Sequence, residues 1–145
     1  MTLKIAIACD HGGYALKKVL VETFKDLDID WLDLGANSEE SVDYPDFGYK
    51  LSEAIARGDA QYGVAICGSG VGISIAVNRN PAVRCVLCSE ETTARLSRQH
   101  NNANVIAFGA RLIGPDMAKA CLKTFLSTEF EGGRHQRRVD KLTPC

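Results

Sequence analysis

One stretch constrains the whole chain: Val64-Ala65-Ile66-Cys67-Gly68-Ser69-Gly70-Val71-Gly72-Ile73-Ser74-Ile75-Ala76. Tyr62 to Cys67 is a short apolar run without helical spacing, the pattern of a buried strand. Three glycines then alternate with Ser69 and Val71, and Ile73 to Asn78 reads as a helix. A strand, a tight glycine turn and a helix N-terminus leave several backbone N–H groups without partners, with the positive end of the helix dipole behind them. A thiol ends the strand and a hydroxyl sits inside the loop. The combination suits an anion, or an oxygen that becomes anionic during a reaction.

Spacing tests three familiar glycine loops. A Walker A loop ends Gly-Lys-Ser/Thr, whereas this one ends Gly72-Ile73. A cysteine-phosphatase loop needs an arginine a few residues beyond Cys67, and the first is Arg79. A dinucleotide fingerprint is Gly-x-Gly-x-x-Gly, and here Gly68, Gly70 and Gly72 are out of register. Glu90 and Glu91 do lie where a ribose-binding acid belongs, which keeps a nicotinamide-dependent oxidoreductase open as an alternative.

The 145 residues suffice for one domain, 1–145, with a real core. A formal net charge of −1 gives no electrostatic reason to bind nucleic acid or a membrane surface. Met1 to Asp10 reads as a strand interrupted by charge and not as a signal peptide, and no apolar run approaches a membrane span. The six cysteines, Cys9, Cys67, Cys85, Cys88, Cys121 and Cys145, read as reduced thiols of a cytoplasmic protein. Cys85 and Cys88 have metal-like spacing. They fall in a strand candidate where residues three apart face opposite ways, and no second pair follows, so no zinc site is expected.

Strands are expected at Leu3–Cys9, Ile29–Leu34, Tyr62–Cys67, Val83–Cys88 and Asn104–Phe108. Helix patterns alternate with them. The first carries Tyr14, Leu16, Leu20, Val21 and Phe24, with Lys17, Lys18, Glu22 and Lys25 as its polar positions. The second opens at Pro45 and closes at Gly58, and the third lies between the glycine loop and Asn80-Pro81. The fourth runs from Ser89-Glu90 to about Arg98, the fifth from Pro115 to Leu126, and a short sixth from Arg134 to Leu142. Alternation with apolar strands predicts a three-layer α/β/α sandwich around a five-stranded parallel sheet, buried on both faces. Sites in such folds lie at the carboxyl ends of strands, where Asp10, His11, Cys67, Ser69, Ser89, Glu90 and Arg111 fall.

Each candidate has a structural reading beside a chemical one. Asp10-His11 is a helix cap with a surface imidazole, or an acid–base pair. Cys67 is a core thiol, or a thiolate for proton abstraction or nucleophilic attack; a free thiol has a pKa of about 8.5, which a helix N-terminus or histidine lowers. His100-Asn101-Asn102-Ala103-Asn104 is a helix end and turn, or a cluster that binds sugar hydroxyls. Arg134-His135-Gln136-Arg137-Arg138 is a solvated basic run, but Arg134 and Arg138 share a helix face and suit a phosphate. Together these parts fit proton transfer beside the carbonyl of a phosphorylated polyol.

Cys-Asp-His-Gly-Gly at 9–13, Asp-Tyr-Pro-Asp at 43–46, Ile-Cys-Gly-Ser-Gly-Val-Gly-Ile-Ser-Ile-Ala at 66–76, Cys-Ser-Glu at 88–90, Ser-Arg-Gln-His-Asn at 97–101, Phe-Gly-Ala-Arg at 108–111 and Glu-Gly-Gly-Arg-His at 131–135 resemble the type B ribose-5-phosphate isomerases. The wider family also holds galactose- and allose-6-phosphate isomerases. The resemblance implies a Rossmann-like sandwich and aldose–ketose isomerisation through an enediolate, without metal or cofactor. It also implies a homodimer, sometimes paired into tetramers, with sites at the subunit interface. It makes Cys67 the base between C1 and C2, and His100, helped by Asp10, the group that opens the sugar ring. It sets the amides of Gly68, Ser69, Gly70, Val71 and Gly72 and the Ser69 hydroxyl on the enediolate oxygen. His11, Arg111, Arg134 and Arg138 would then hold the phosphate, and Asn101 and Tyr44 the sugar. Many relatives carry Thr at the position of Ser69, and a branch without the cysteine carries its base, a Glu, at the position of Ile73. The expected substrate is ribose 5-phosphate; a 6-phosphohexose, or sugar-phosphate binding without catalysis, are the alternatives.

Overall fold

The computed structural model describes residues 2–143, so Cys145 lies outside the described residues. The five strands are β1 (Leu3–Cys9), β2 (Ile29–Asp33), β3 (Tyr62–Cys67), β4 (Cys85–Leu87) and β5 (Val105–Gly109). They form one parallel sheet in the order β2-β1-β3-β5-β4. The helices are α1 (Tyr14–Thr23), α2 (Tyr44–Arg57), α3 (Val71–Asn78), α4 (Glu91–Asn101), α5 (Pro115–Ser127) and α6 (Arg134–Asp140), with a 3-10 turn at His11–Gly13.

Alternation along the strands divides the core in two. Ile5, Ile7 and Cys9 of β1 face Leu16 and Leu20 of α1, Ala94 of α4 and Phe125 of α5. Ala6 and Ala8 of β1, with Ala65, Cys67 and Ala107, face Leu51 and Ile55 of α2 and Ile73 and Val77 of α3. Small strand residues on this second face let α2 and α3 pack close. A Cβ on Gly48 of α2 would stand 3.0 Å from the Cβ of Ala76 on α3.

The expected sheet is present, with differences at its margins. The edge strands β2 and β4 are only partly buried, because each is paired on one side. β4 starts at Cys85 rather than Val83, since the amides of Arg84 and Cys85 go to the side chains of Asn104 and Asn78. α3 begins at Val71, inside the glycine loop, and α4 continues past Arg98 to Asn101. Lys17, expected on the polar side of α1, is buried instead. Its ammonium donates to Asp33 at 2.8 Å, to the Ala36 carbonyl at 2.6 Å and to Asn37 at 3.4 Å, partners that offset its desolvation. Cys85 packs on one face of the sheet and Cys88 on the other, as the strand spacing requires. Among the described residues the cysteines are free thiols, and no helix is long and apolar enough to cross a membrane.

Candidate active site

The chain leaves β1 toward β2 on one side and reaches β3 on the other. The crevice beyond the carboxyl ends of β1 and β3 is therefore the topological switch point, where open α/β sheets bind ligands. Asp10 follows β1 and Gly68 follows β3. The Asp10 amide donates to the Ile66 carbonyl at 3.1 Å, and a Cβ on Gly12 would stand 3.3 Å from Asp10 Oδ1 and 3.5 Å from the Gly68 nitrogen. Asp10 is buried and caps the turn after β1, accepting from the Gly13 amide at 3.1 Å. His11 Nδ1 accepts the Val42 amide at 3.1 Å, which ties the loop before α2 to the site and leaves Nε2 as the free nitrogen.

The loop after Cys67 has the shape its glycines predict. Gly70 has φ +77°, and a Cβ there would fall 2.6 Å from Leu87 Cδ1 and 2.8 Å from the Phe108 carbonyl carbon. A Cβ on Gly72 would run into the Tyr44 ring at 2.5 Å, and one on Gly109 into the Ser69 carbonyl oxygen at 2.4 Å. The Gly70 amide donates to Cys67 Sγ at 3.2 Å, and the Val71 amide to the Ser69 hydroxyl at 3.2 Å. Cys67 is only 4% exposed. The Arg111 amide donates to the Gly68 carbonyl at 3.0 Å, while its guanidinium lies over Gly68, with Nε 3.4 Å from the position of a Cβ there. Asp10, His11, Tyr44, Cys67 to Gly72 and Arg111 thus share one end of the sheet.

Burial pushes Cys9 up to about 11 and Cys121 up to about 12, and raises Cys85 and Cys88 as well. Glu90 is committed elsewhere: its carboxylate caps α4 through the Thr93 amide and hydroxyl, bonds that hold it below its usual range. Both of its oxygens accept from the Thr93 amide, so it is not free as a ribose ligand for the glycine loop.

The remaining candidates lie at the opposite end. α4 runs back across the sheet, and its last residues meet the beginnings of the strands. The Asn104 carbonyl accepts from Gly63 at 2.9 Å, and the Arg84 guanidinium donates to the carbonyls of Asn101 and Asn102 at 3.1 and 3.0 Å. Arg98, buried beneath this corner, donates to the Ala103 carbonyl at 2.6 Å and to Asn102 Oδ1 at 3.0 Å. His100 and Asn101 end α4, and α6 is docked there by its His135. Arg134 and Arg138 are exposed on α6. Six residues of β3 span roughly 16 Å at about 3.3 Å per residue. Cys67 also faces the α2–α3 layer, whereas α4 packs on the other face. Within one chain, His100, Asn101, Arg134 and Arg138 are therefore not brought to Cys67.

His135 and Glu131 had no role in the sequence reading. His135 is 6% exposed, and its ring stacks on His100 with centroids 4.4 Å apart and planes 14° apart. The available signal was spacing: Glu131, His135 and Val139 recur every fourth residue, so His135 shares the inward face of α6 with Val139. Glu131, His100 and His135 offer ligand atoms within 4.8 Å of one another. The imidazole planes are nearly parallel, so their in-plane lone pairs do not converge as a tetrahedral metal site needs.

The sequence pattern of the ribose/galactose isomerases matches residues 5–142. The chain is 45% identical to ribose-5-phosphate isomerase B of Escherichia coli, over 97% of this chain and 94% of that one. Its fold superposes on a ribose 5-phosphate isomerase of Thermotoga maritima with a TM-score of 0.96, at 45% identity and covering 99% of both chains. It superposes also on ribose-5-phosphate isomerase B of Mycoplasma genitalium with bound ribulose-5-phosphate, with a TM-score of 0.92, 40% identity, and 99% and 95% coverage. A family pattern matched over residues 5–142, with 45% identity to a ribose-5-phosphate isomerase B over nearly the whole chain, makes this protein a member of the ribose/galactose isomerase family.

Proposed function

We propose that the chain, as one domain of residues 1–145, interconverts ribose 5-phosphate and ribulose 5-phosphate. The observation that carries this reading is the amide-lined loop closed onto the Cys67 sulfur at the switch point. Cys67, as thiolate, takes the C2 proton of the open-chain aldose. The electron pair forms the C1–C2 double bond, and charge moves onto the C1 oxygen, where the loop amides and the Ser69 hydroxyl stabilise it. Losing one such donor typically costs about 3–4 kcal/mol of barrier. A proton passes from O2 to O1, Cys67 returns its proton to C1, and the ketone is left at C2. No step calls for a metal or cofactor.

His100 opens the furanose, assisted by Asp10. His11, Arg111, Arg134 and Arg138 hold the phosphate, and Asn101 and Tyr44 the sugar. Since one chain holds these groups at opposite ends, the site is assembled from two copies. An exposed apolar patch beside the loop supports a homodimer, which can pair further into tetramers. It comprises Tyr44 (40% exposed), Val71 (45%), Ile75 (59%) and Leu87 (42%), with Leu87 against Gly70 and Tyr44 against Gly72. Free thiols fit work in the reducing cytoplasm.

The test is turnover of ribose 5-phosphate in EDTA, with allose and galactose 6-phosphates alongside. Pentose turnover is expected. Preference for a hexose phosphate would keep the mechanism and change the substrate. Binding without any turnover would leave a sugar-phosphate-binding domain and overturn the isomerase reading.

A further inference from the structure

We propose that His135 is a positioning residue for His100, a stacking platform that fixes the plane of the ring-opening imidazole. The role rests on the reading of His100 given above.

The contact is preformed. His135 is the second residue of α6, its amide held by the Gly132 carbonyl at 3.0 Å, and the Glu131 amide donates to the Gln99 carbonyl at 3.1 Å. These bonds fix the turn before α6 against the last turn of α4. The His135 ring then covers one face of His100, 4.4 Å between centroids. Face-to-face contact restricts rotation of the His100 ring and leaves its nitrogen edge open. Ring opening needs that edge, because a proton must be delivered to the ring oxygen and another removed from the anomeric hydroxyl.

A stacking partner that carried charge would oppose protonation of His100 at such a short distance. His135 is protected from that. Burial, Arg134, His100 and Arg138 all disfavour its charged form, and only Glu131 favours it. Its Nε2 is buried without a hydrogen-bond partner among the described residues; the nearest carboxylate oxygen, on Glu131, is 3.4 Å away. An orphaned buried nitrogen calls for an explanation. Service as an aromatic surface accounts for it: the face packs on His100, while the edge has only the long approach of Glu131.

The experiment compares His135→Phe with His135→Leu in the full chain. Both fill the buried volume, but only Phe offers a flat ring. Turnover of ribose 5-phosphate needs ring opening. Deuterium wash-in at C1 of ribulose 5-phosphate does not, because this ketose has its C5 oxygen esterified and stays open-chain. H135L is expected to lose about tenfold in turnover, a part of what acid–base assistance supplies, with wash-in unchanged. H135F is expected to keep both. Equal losses in the two variants, equal losses in the two assays, or no loss at all would overturn the role. A wild-type chain inert in both assays would overturn the isomerase reading and this role together, whereas an active wild type with unaltered variants overturns this role alone.

Discussion

The backbone N–H of Gly70 donates a 3.2 Å hydrogen bond to the sulfur of Cys67. The bond exists because Gly70 adopts φ +77° against Leu87 and the start of Gly109. Replacement by Ala adds left-handed strain and a Cβ overlap that Phe108 and Gly109 backbone cannot relieve. Gly70→Ala is expected to lose about 1–3 kcal/mol of stability in urea unfolding, with isomerase activity falling further than stability alone explains. Unchanged stability would mean that the loop does not hold this conformation.

Cys67→Ala should lower kcat by about 10²- to 10⁴-fold, the usual worth of a positioned acid or base. Calorimetric binding of ribulose 5-phosphate should stay nearly intact. Alkylation tests the same assignment on the native chain. Cys9 and Cys121, pushed up to about 11 and about 12, stay protonated at neutral pH. Inactivation by iodoacetamide should follow modification of the Cys67 peptide in mass maps, and full activity after that modification would sink the base assignment.

Complementation tests the two-copy site. Cys67→Ala and His100→Asn homodimers should each be inactive on ribose 5-phosphate. Unfolded together and refolded in equal amounts, half of the dimers become mixed, and one of their two sites is intact. About a quarter of wild-type activity should return. No return would place both groups of each site in one chain, against the geometry of β3 and α4.

The burial of His135 gives stability a pH dependence of known sign. His135 is held below its ordinary value of 6.5, first by burial and then by Arg134. The unfolded chain therefore binds the proton more readily, so this contribution is complete above about pH 6.5 and declines as the solution is acidified below it. Thermal melts across that window should fall more steeply for wild type than for His135→Phe. Parallel curves would show that His135 carries no such linkage.

The fold was legible because every strand and helix left a local mark. Gly58 and Pro45 bound α2 where expected, and the alternation of Ile5, Ile7 and Cys9 with Ala6 and Ala8 set the two faces. The cluster at the switch point was legible too, since Asp10 follows β1 directly, Cys67 ends β3 and Arg111 lies two residues beyond β5. What the sequence did not disclose is tertiary. Lys17 looks like any solvated helix lysine until Asp33 and the Ala36 carbonyl meet it. His135 looks like part of a basic run until α6 folds onto the end of α4. The distance between His100 and Cys67 was hidden for a related reason: motifs are written along one line, while α4 reverses direction against the strands it connects.

That reversal has a consequence for how activity scales. Cys67 and His100 stand at opposite poles of one chain, and no hinge within it could join them without undoing the sheet. A sugar served by both groups must be served by two copies. If Cys67 and His100 have the proposed roles, an isolated chain, however well folded, should be silent toward ring-closed substrate. On dilution below the dissociation constant of the pair, rate per chain should fall in proportion to concentration, so the supply of chains itself sets a threshold for turnover.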